Sequence, residues 1–357
     1  MTVRTSLAGR LADGTPVYAH TLDTGQGGLA LTVLELGATV DALVVPDRHG
    51  HRRDVVLAPP SIADRLASDA YLGSTVGRYA NRIAGGTFVL DGDRYTVPIN
   101  EGHNALHGGP DGFDRRVWRT VATDGSRVLL SLISPDGDQG FPGDLSVEVA
   151  FEVTLDSVSI GYRATTTAPT VVNLTNHTYF NLDGAGSDGI DDHLLTVDAD
   201  AYTPVATDLI PTGETRAVAG TPFDLTRPVR LGDQIRRVDD QLRITHGLDH
   251  HLVVRGEGMR RHARLSSAES GLVLTVSSDQ PGVQVYSGNF LDGSLRGRHG
   301  RTYRQGAGIA LETQHVPDSP NQPGFPPTVL RPGETFTSTT TWELSQGDGP
   351  PSGRERA

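Results

Sequence analysis

The 357-residue chain has no cysteine, which excludes disulfides and thiolate metal sites. No apolar run approaches the ~20 residues of a membrane-spanning helix, and Met1 to Arg10 lack an apolar core of signal-peptide length. These absences point to a soluble cytoplasmic protein. Basic residues are outnumbered, with 31 Lys and Arg against 43 Asp and Glu, a formal charge of −12. Phosphate backbones are bound through clustered cations, so neither nucleic acid nor membrane is an expected partner. Helical signals are few. Ser61–Ser68 offers a Ser at a candidate N-cap with Asp64 three residues later, and Leu231–Leu242 is the other candidate. No strand–helix alternation persists, which disfavours a parallel α/β fold.

Several catalytic signatures are missing too. There is no Gly-x-Ser-x-Gly elbow of a serine hydrolase. Gly306-Ala307-Gly308 lacks the helix that follows a dinucleotide loop. His103 and His107 have the i, i+4 spacing of a zinc pair on a helix, but Asn104-Ala105-Leu106 and Gly108-Gly109-Pro110 read as loop. His250 and His251 stand beside Asp249. Adjacent strand residues face opposite ways, so at most one of them shares a site with Asp249. No metal and no cofactor are expected.

What the chain does have is turns and alternation. The 43 Gly and 22 Pro imply many turns, and so many short strands. Leu145, Val147, Val149, Phe151, Val153 and Leu155 are apolar and alternate with Ser146, Glu148, Ala150, Glu152 and Thr154. That period of two predicts a long half-buried strand. After Asp156-Ser157 the alternation resumes with Val158, Ile160 and Tyr162, a hairpin. Further strands are expected at Leu29–Val45, Arg127–Ser134, Leu194–Ala199, Gly271–Ser277, Val283–Tyr286 and Thr335–Leu344. No linker divides the chain. The fold expected is all-β, one large antiparallel β-sandwich over residues 1–345, with a polar flexible tail at 346–357.

Five polar clusters interrupt the strands. They are Gly77–Ile83, Asn104–Gly109, Asn173–Leu182, Gly247–His250 and Leu311–Pro323. In the last, Glu312 follows the apolar stretch Gly308-Ile309-Ala310-Leu311 and opens a loop rich in amides and prolines. Together the clusters supply Glu, two His, Asp and Arg from separated loops, which suits proton transfer without a cofactor. A carboxylate is a base at neutral pH and an imidazole an acid. Arg and Asp supply charge-assisted hydrogen bonds to hydroxyls, so a neutral polyol is a natural ligand. Phe113, Tyr179 and Phe290 are candidate contacts for a sugar face, with core packing the alternative for each.

Gly77–Ile83, Leu106–Gly109, Leu174–Leu182, Leu248–His250, Pro281–Phe290 and Leu311–Pro326 resemble the aldose 1-epimerase, or galactose mutarotase, family in order and spacing. The resemblance implies a galactose mutarotase-like supersandwich. It also implies interconversion of the α and β anomers of free aldohexoses such as galactose and glucose, by acid–base ring opening and closure. Glu312 matches the family's general base and His177 its general acid. Asn81, Arg82, His107, Asp249 and Gln284 match positions that bind sugar hydroxyls. The partner is then a monosaccharide, and the enzyme a monomer or homodimer. The alternatives are a non-catalytic sugar-binding protein and a hexose-phosphate epimerase on the same fold. The latter would need an added basic cluster, and only Arg78 and Arg82 are at hand. The preferred sugar, and the roles of His103, His250, His251 and His315, stay open at this level.

Overall fold

The alternation from Leu145 becomes the third strand of a nine-stranded antiparallel sheet in a computed structural model that describes residues 1–25 and 27–347. Along Leu145–Val153 the odd-numbered side chains are buried, while Ser146 and Glu152 are exposed. Each buried Val or Phe contributes about 1.5–3 kcal/mol by leaving water. The hairpin partner is Ser157–Thr166, with Val153 opposite Val158. Ser157–Thr166 in turn pairs with Phe336–Gln346, which joins the middle of the sequence to the last described strand at the centre of this sheet.

A six-stranded sheet packs against the first. Its order is Tyr179–Phe180, Ile309–Gln314, Gly282–Tyr286, Asp249–Val254, Ala199–Tyr202 and Arg216–Ala217. The back of this sheet carries Leu252, Val283, Val285, Ile309 and Leu311, which join Val147, Val149 and Phe151 in one apolar cluster. Side chains alternate across the sheet, so Asp249, Gln284, Tyr286 and Glu312 share the opposite, front face. The register sets Gln284 against Glu312 and Asp249 against Tyr286. A five-stranded sheet from Thr2–Arg10 to Arg52–Asp54 adds Leu22, Leu31, Val33 and Leu43 to the same cluster. The architecture is a large antiparallel β-sandwich.

Three expected elements are divided. Leu29–Val45 is two strands, Ala30–Leu34 and Thr39–Pro46. Gly37 turns between them at φ 66°, where a Cβ would lie 2.6 Å from the Asp114 carbonyl oxygen. Leu194–Ala199 breaks at Asp198. Leu194–Val197 joins the nine-stranded sheet and Ala199–Tyr202 the six-stranded one, a corner strand that changes sheets. Leu231–Leu242 is two helices, Leu231–Ile235 and Asp240–Thr245, the second capped by the Asp239 carboxylate. The helix Ile62–Leu66 does start at Ser61, whose Oγ accepts the Asp64 N–H at 3.1 Å. Gln346 ends a strand, and the tail expected at 346–357 lies outside the described residues from 348 onward. Among the described residues no helix is long and apolar enough to cross a membrane.

Candidate active site

The front face of the six-stranded sheet floors a cavity of about 990 Å³. Contrary to expectation, Glu312 does not open the loop but lies inside the strand Ile309–Gln314, whose pairing with Gly282–Tyr286 continues to Gln314. Its neighbours Leu311 and Thr313 point the other way, Leu311 into the apolar cluster. His177 arrives from a separate segment and is fixed by its backbone. Its N–H donates to the Ser74 carbonyl at 2.9 Å, and its carbonyl accepts the Gly73 N–H at 2.9 Å. The two side chains meet with His177 Nε2 3.6 Å from Glu312 Oε1, at 5% and 2% exposure. The imidazole lies against Tyr179, centroids 4.9 Å apart, and meets Tyr286 edge-on at 6.1 Å.

Burial sets the electrostatics of this pair. Loss of hydration pushes the Glu312 carboxyl well above the usual carboxylate range; nearby Asp249 adds to the effect and Arg82 opposes it. The same loss of hydration pulls His177 down to about 4. The pair therefore favours holding one proton between its two members without separated charge. His177 Nδ1 and Glu312 Oε2 are buried with no protein partner, as is Gln284 Oε1. Buried polar atoms normally find partners, so these await a ligand or water.

Asn81 and His107 hold each other. Ala105–Leu106 pairs with Arg82–Ile83, and both Asn81 and His107 take left-handed backbone angles, φ 66° and 53°. Asn81 N–H donates to His107 Nδ1 at 3.1 Å. The next residue, Gly108, sits at φ 92°, where a Cβ would lie 2.0 Å from the Gly77 carbonyl oxygen. Arg82 donates through Nε and NH2 to the two oxygens of Glu101 at 2.7 and 2.5 Å. Its NH1 faces Asp249 Oδ2 at 3.9 Å. Asp249 Oδ1 accepts Gln284 Nε2 at 2.7 Å.

Of the seven residues expected in the site, six line the cavity: Asn81, Arg82, His107, His177, Asp249 and Glu312. Gln284 does not line it. It lies one layer deeper, 3% exposed, bridging Asp249 towards Glu312. Among the aromatic candidates, Tyr179 lines the wall and Phe290 stands 52% exposed at the rim. Phe113 does not reach the site; it is packed in the main apolar cluster, edge-on to Trp118. Sequence reasoning missed Tyr71 and Glu101, which also line the cavity, and did not single out Tyr286. Tyr286 falls in a resembling segment and Glu101 just precedes another, while nothing in the sequence marked Tyr71.

The remaining histidines stand apart. His103 is exposed. His250 faces the core, its Nε2 3.0 Å from Gln241 Oε1 and its ring against Phe223. His251 shares the front face with Asp249, but its ring lies over Gly282 and away from the cavity lining. His315 is held by its backbone to Asn173 Oδ1 at 3.0 Å.

One atom from each of His107, His177 and Glu312 lies within 4.8 Å of the others, a spacing that a metal ion could bridge. The donor chemistry does not fit. His107 Nδ1 already accepts a backbone N–H, so the ring hydrogen sits on Nε2 and that nitrogen has no lone pair to offer. The same bond makes Nε2–H a fixed donor towards the cavity.

The fold and the site together are those of an enzyme in which a buried carboxyl and imidazole meet in a cavity lined by hydrogen-bonding side chains. A family model described as aldose 1-epimerase matches residues 18–343. A galactose mutarotase of Bos taurus is 46% identical over 318 residues, 89% of this chain and 91% of that one. An aldose 1-epimerase of Escherichia coli (strain K12) is 40% identical over 337 residues, 93% and 96% of the two chains. A crystal structure of an aldose epimerase homologue from C. elegans superposes with a TM-score of 0.86 at 33% identity, covering 92% and 99%. The chain belongs to the aldose 1-epimerase family and is an enzyme of the epimerase class.

Proposed function

We propose that this enzyme interconverts the α and β anomers of free aldohexoses, with Glu312 and His177 as the acid–base pair. Galactose and glucose are the proposed substrates; the bovine relative is a galactose mutarotase. The observation that carries the assignment of roles is the buried 3.6 Å approach of His177 Nε2 to Glu312 Oε1 on a cavity wall. The Glu312 carboxylate takes the proton of the anomeric hydroxyl. The bond from C1 to the ring oxygen breaks, its electron pair moves to that oxygen, and the His177 imidazolium protonates it. Rotation about C1–C2 and the reverse steps close the other anomer. The sugar passes one proton from His177 to Glu312. Burial favours the uncharged arrangement, carboxylic acid with imidazole, which is the state paired with the open-chain aldehyde. Arg82, Asp249, Asn81 and the Nε2–H of His107 offer bonds to sugar oxygens, with Gln284 holding Asp249. Tyr179 and Tyr286 offer an apolar wall. The reading extends to a cytoplasmic enzyme that acts as a monomer or homodimer.

Polarimetry on freshly dissolved α-galactose and α-glucose tests this. Rotation should relax to equilibrium faster with the protein than without it. Relaxation at the spontaneous rate for both sugars, with sugar binding intact, would favour a binding protein instead.

A further inference from the structure

Among the described residues, Arg82 contributes the single guanidinium at the inner end of the cavity, and Glu101 occupies it. Nε and NH2, the two donors that make a planar fork for a carboxylate or phosphate, both go to Glu101. Arg78, four residues earlier, is turned away. Its five donors go to Ser134, Pro135, Pro142 and Gly143. Three carboxyl groups, Glu101, Asp249 and Glu312, thus stand around one cation. At the outer wall, Arg115 is paired with Asp69 and close to Asp114, and the exposed Arg296 shares the lining with Asp64 and Asp292.

Glu101 belongs to a tight turn closed by exchange of backbone hydrogen bonds with Asn104. Its side chain is 32% exposed where that of Arg82 is 6% exposed, so the carboxylate sits between the cation and the opening. An anion entering the cavity meets a fork already filled and a like charge beside it. A neutral hydroxyl meets Arg82 NH1, which Glu101 leaves free.

We propose that Glu101 is a specificity-determining and positioning residue that makes the site accept neutral sugars and reject those carrying a carboxylate or phosphate. This rests on the mutarotase reading and names the substrate class within it. Like-charge juxtaposition commonly costs enough to discriminate by on the order of 10–100-fold.

The test compares glucose with glucuronate, a reducing sugar of the same ring that carries a carboxylate. Wild type, Glu101→Gln and Glu101→Asp are assayed by polarimetry for kcat and KM, and by calorimetry for binding. Wild type should prefer glucose in kcat/KM by about 100-fold. Glu101→Gln should narrow that ratio about tenfold, chiefly through a lower KM for glucuronate, with a severalfold higher KM for glucose and little change in kcat. Glu101→Asp keeps the charge and shortens the reach, so it should raise the glucose KM yet still exclude glucuronate. In wild type, added salt should lower the glucuronate KM and leave the glucose KM in place, a reading that needs no variant to fold. A ratio unchanged in Glu101→Gln, or equally narrowed in Glu101→Asp, would overturn the proposal. If wild type accelerates mutarotation of neither sugar, the mutarotase reading fails, and the calorimetric preference in wild type and Glu101→Gln still decides the role of Glu101.

Discussion

His107 and Asn81 exchange two hydrogen bonds. The backbone N–H of His107 donates to the Asn81 carbonyl at 3.0 Å, and the Asn81 N–H returns to His107 Nδ1 at 3.1 Å. The pair of bonds fixes ring orientation and tautomer together. Burial, with His177 and Arg82 adding to it, holds His107 well below the usual imidazole range, so the ring is neutral and Nε2–H is a permanent donor.

That tautomer leaves the three-residue His107–His177–Glu312 grouping one lone pair short of a metal site. Activity should therefore survive exhaustive dialysis against EDTA, measured as mutarotation rate before and after. Loss of activity that zinc restores would contradict the proton-transfer account.

The pH profile follows from the burial of the pair. The working form holds one shared proton. As pH falls through about 4, where burial places His177, a second proton is added and activity drops. As pH rises through the raised Glu312 value, the shared proton is lost and activity drops again. The profile of kcat/KM reports the free enzyme, so its plateau should extend on the acid side below the ordinary imidazole value of ~6.5. An acid limb centred at that ordinary value would contradict the assignment.

Replacement of the acid separates chemistry from binding. His177→Asn keeps polarity and rough size but cannot pass a proton to the ring oxygen. General acid catalysis contributes typically ~10²–10⁴-fold, and kcat should fall by about that much. Sugar affinity should fall less, because Arg82 and Asp249 remain. An unchanged kcat removes His177 from this role.

Gly108 is required by space as well as by φ. A Cβ there meets the Gly77 carbonyl at 2.0 Å, so Gly108→Ala should destabilise the fold by at least ~2 kcal/mol. Thermal unfolding measures this, and a Tm equal to wild type would show that the loop can yield.

The legible parts of this protein were the local ones. Alternation from Leu145 to Val153 marked a strand because one face of it is buried. Glu312, His177, Arg82, His107 and Asp249 were legible because each sits in a contiguous polar motif that breaks the apolar alternation. What stayed hidden depends on distant segments. The pairing of Ser157–Thr166 with Phe336–Gln346 leaves no periodic trace, since any strand of suitable pattern could fill the slot. Asp198 breaks an apolar run because the two halves serve different sheets, a tertiary demand. Glu101 becomes part of the site only through Arg82. Phe113 stayed open between a sugar contact and core packing because an aromatic beside a glycine loop looks alike whether it faces the cavity or, as here, Trp118.

The central claim is that Glu312 moves a proton rather than merely filling a position in a strand. Glu312→Gln is nearly isosteric and still offers hydrogen bonds, so the sugar should dock. The amide cannot accept the anomeric proton at neutral pH. Melting temperature, calorimetric binding of galactose and mutarotation rate, taken on one preparation, decide the matter. The account predicts a folded variant that binds galactose and loses turnover by on the order of 10²-fold or more. Near-wild-type turnover in that folded variant would contradict it.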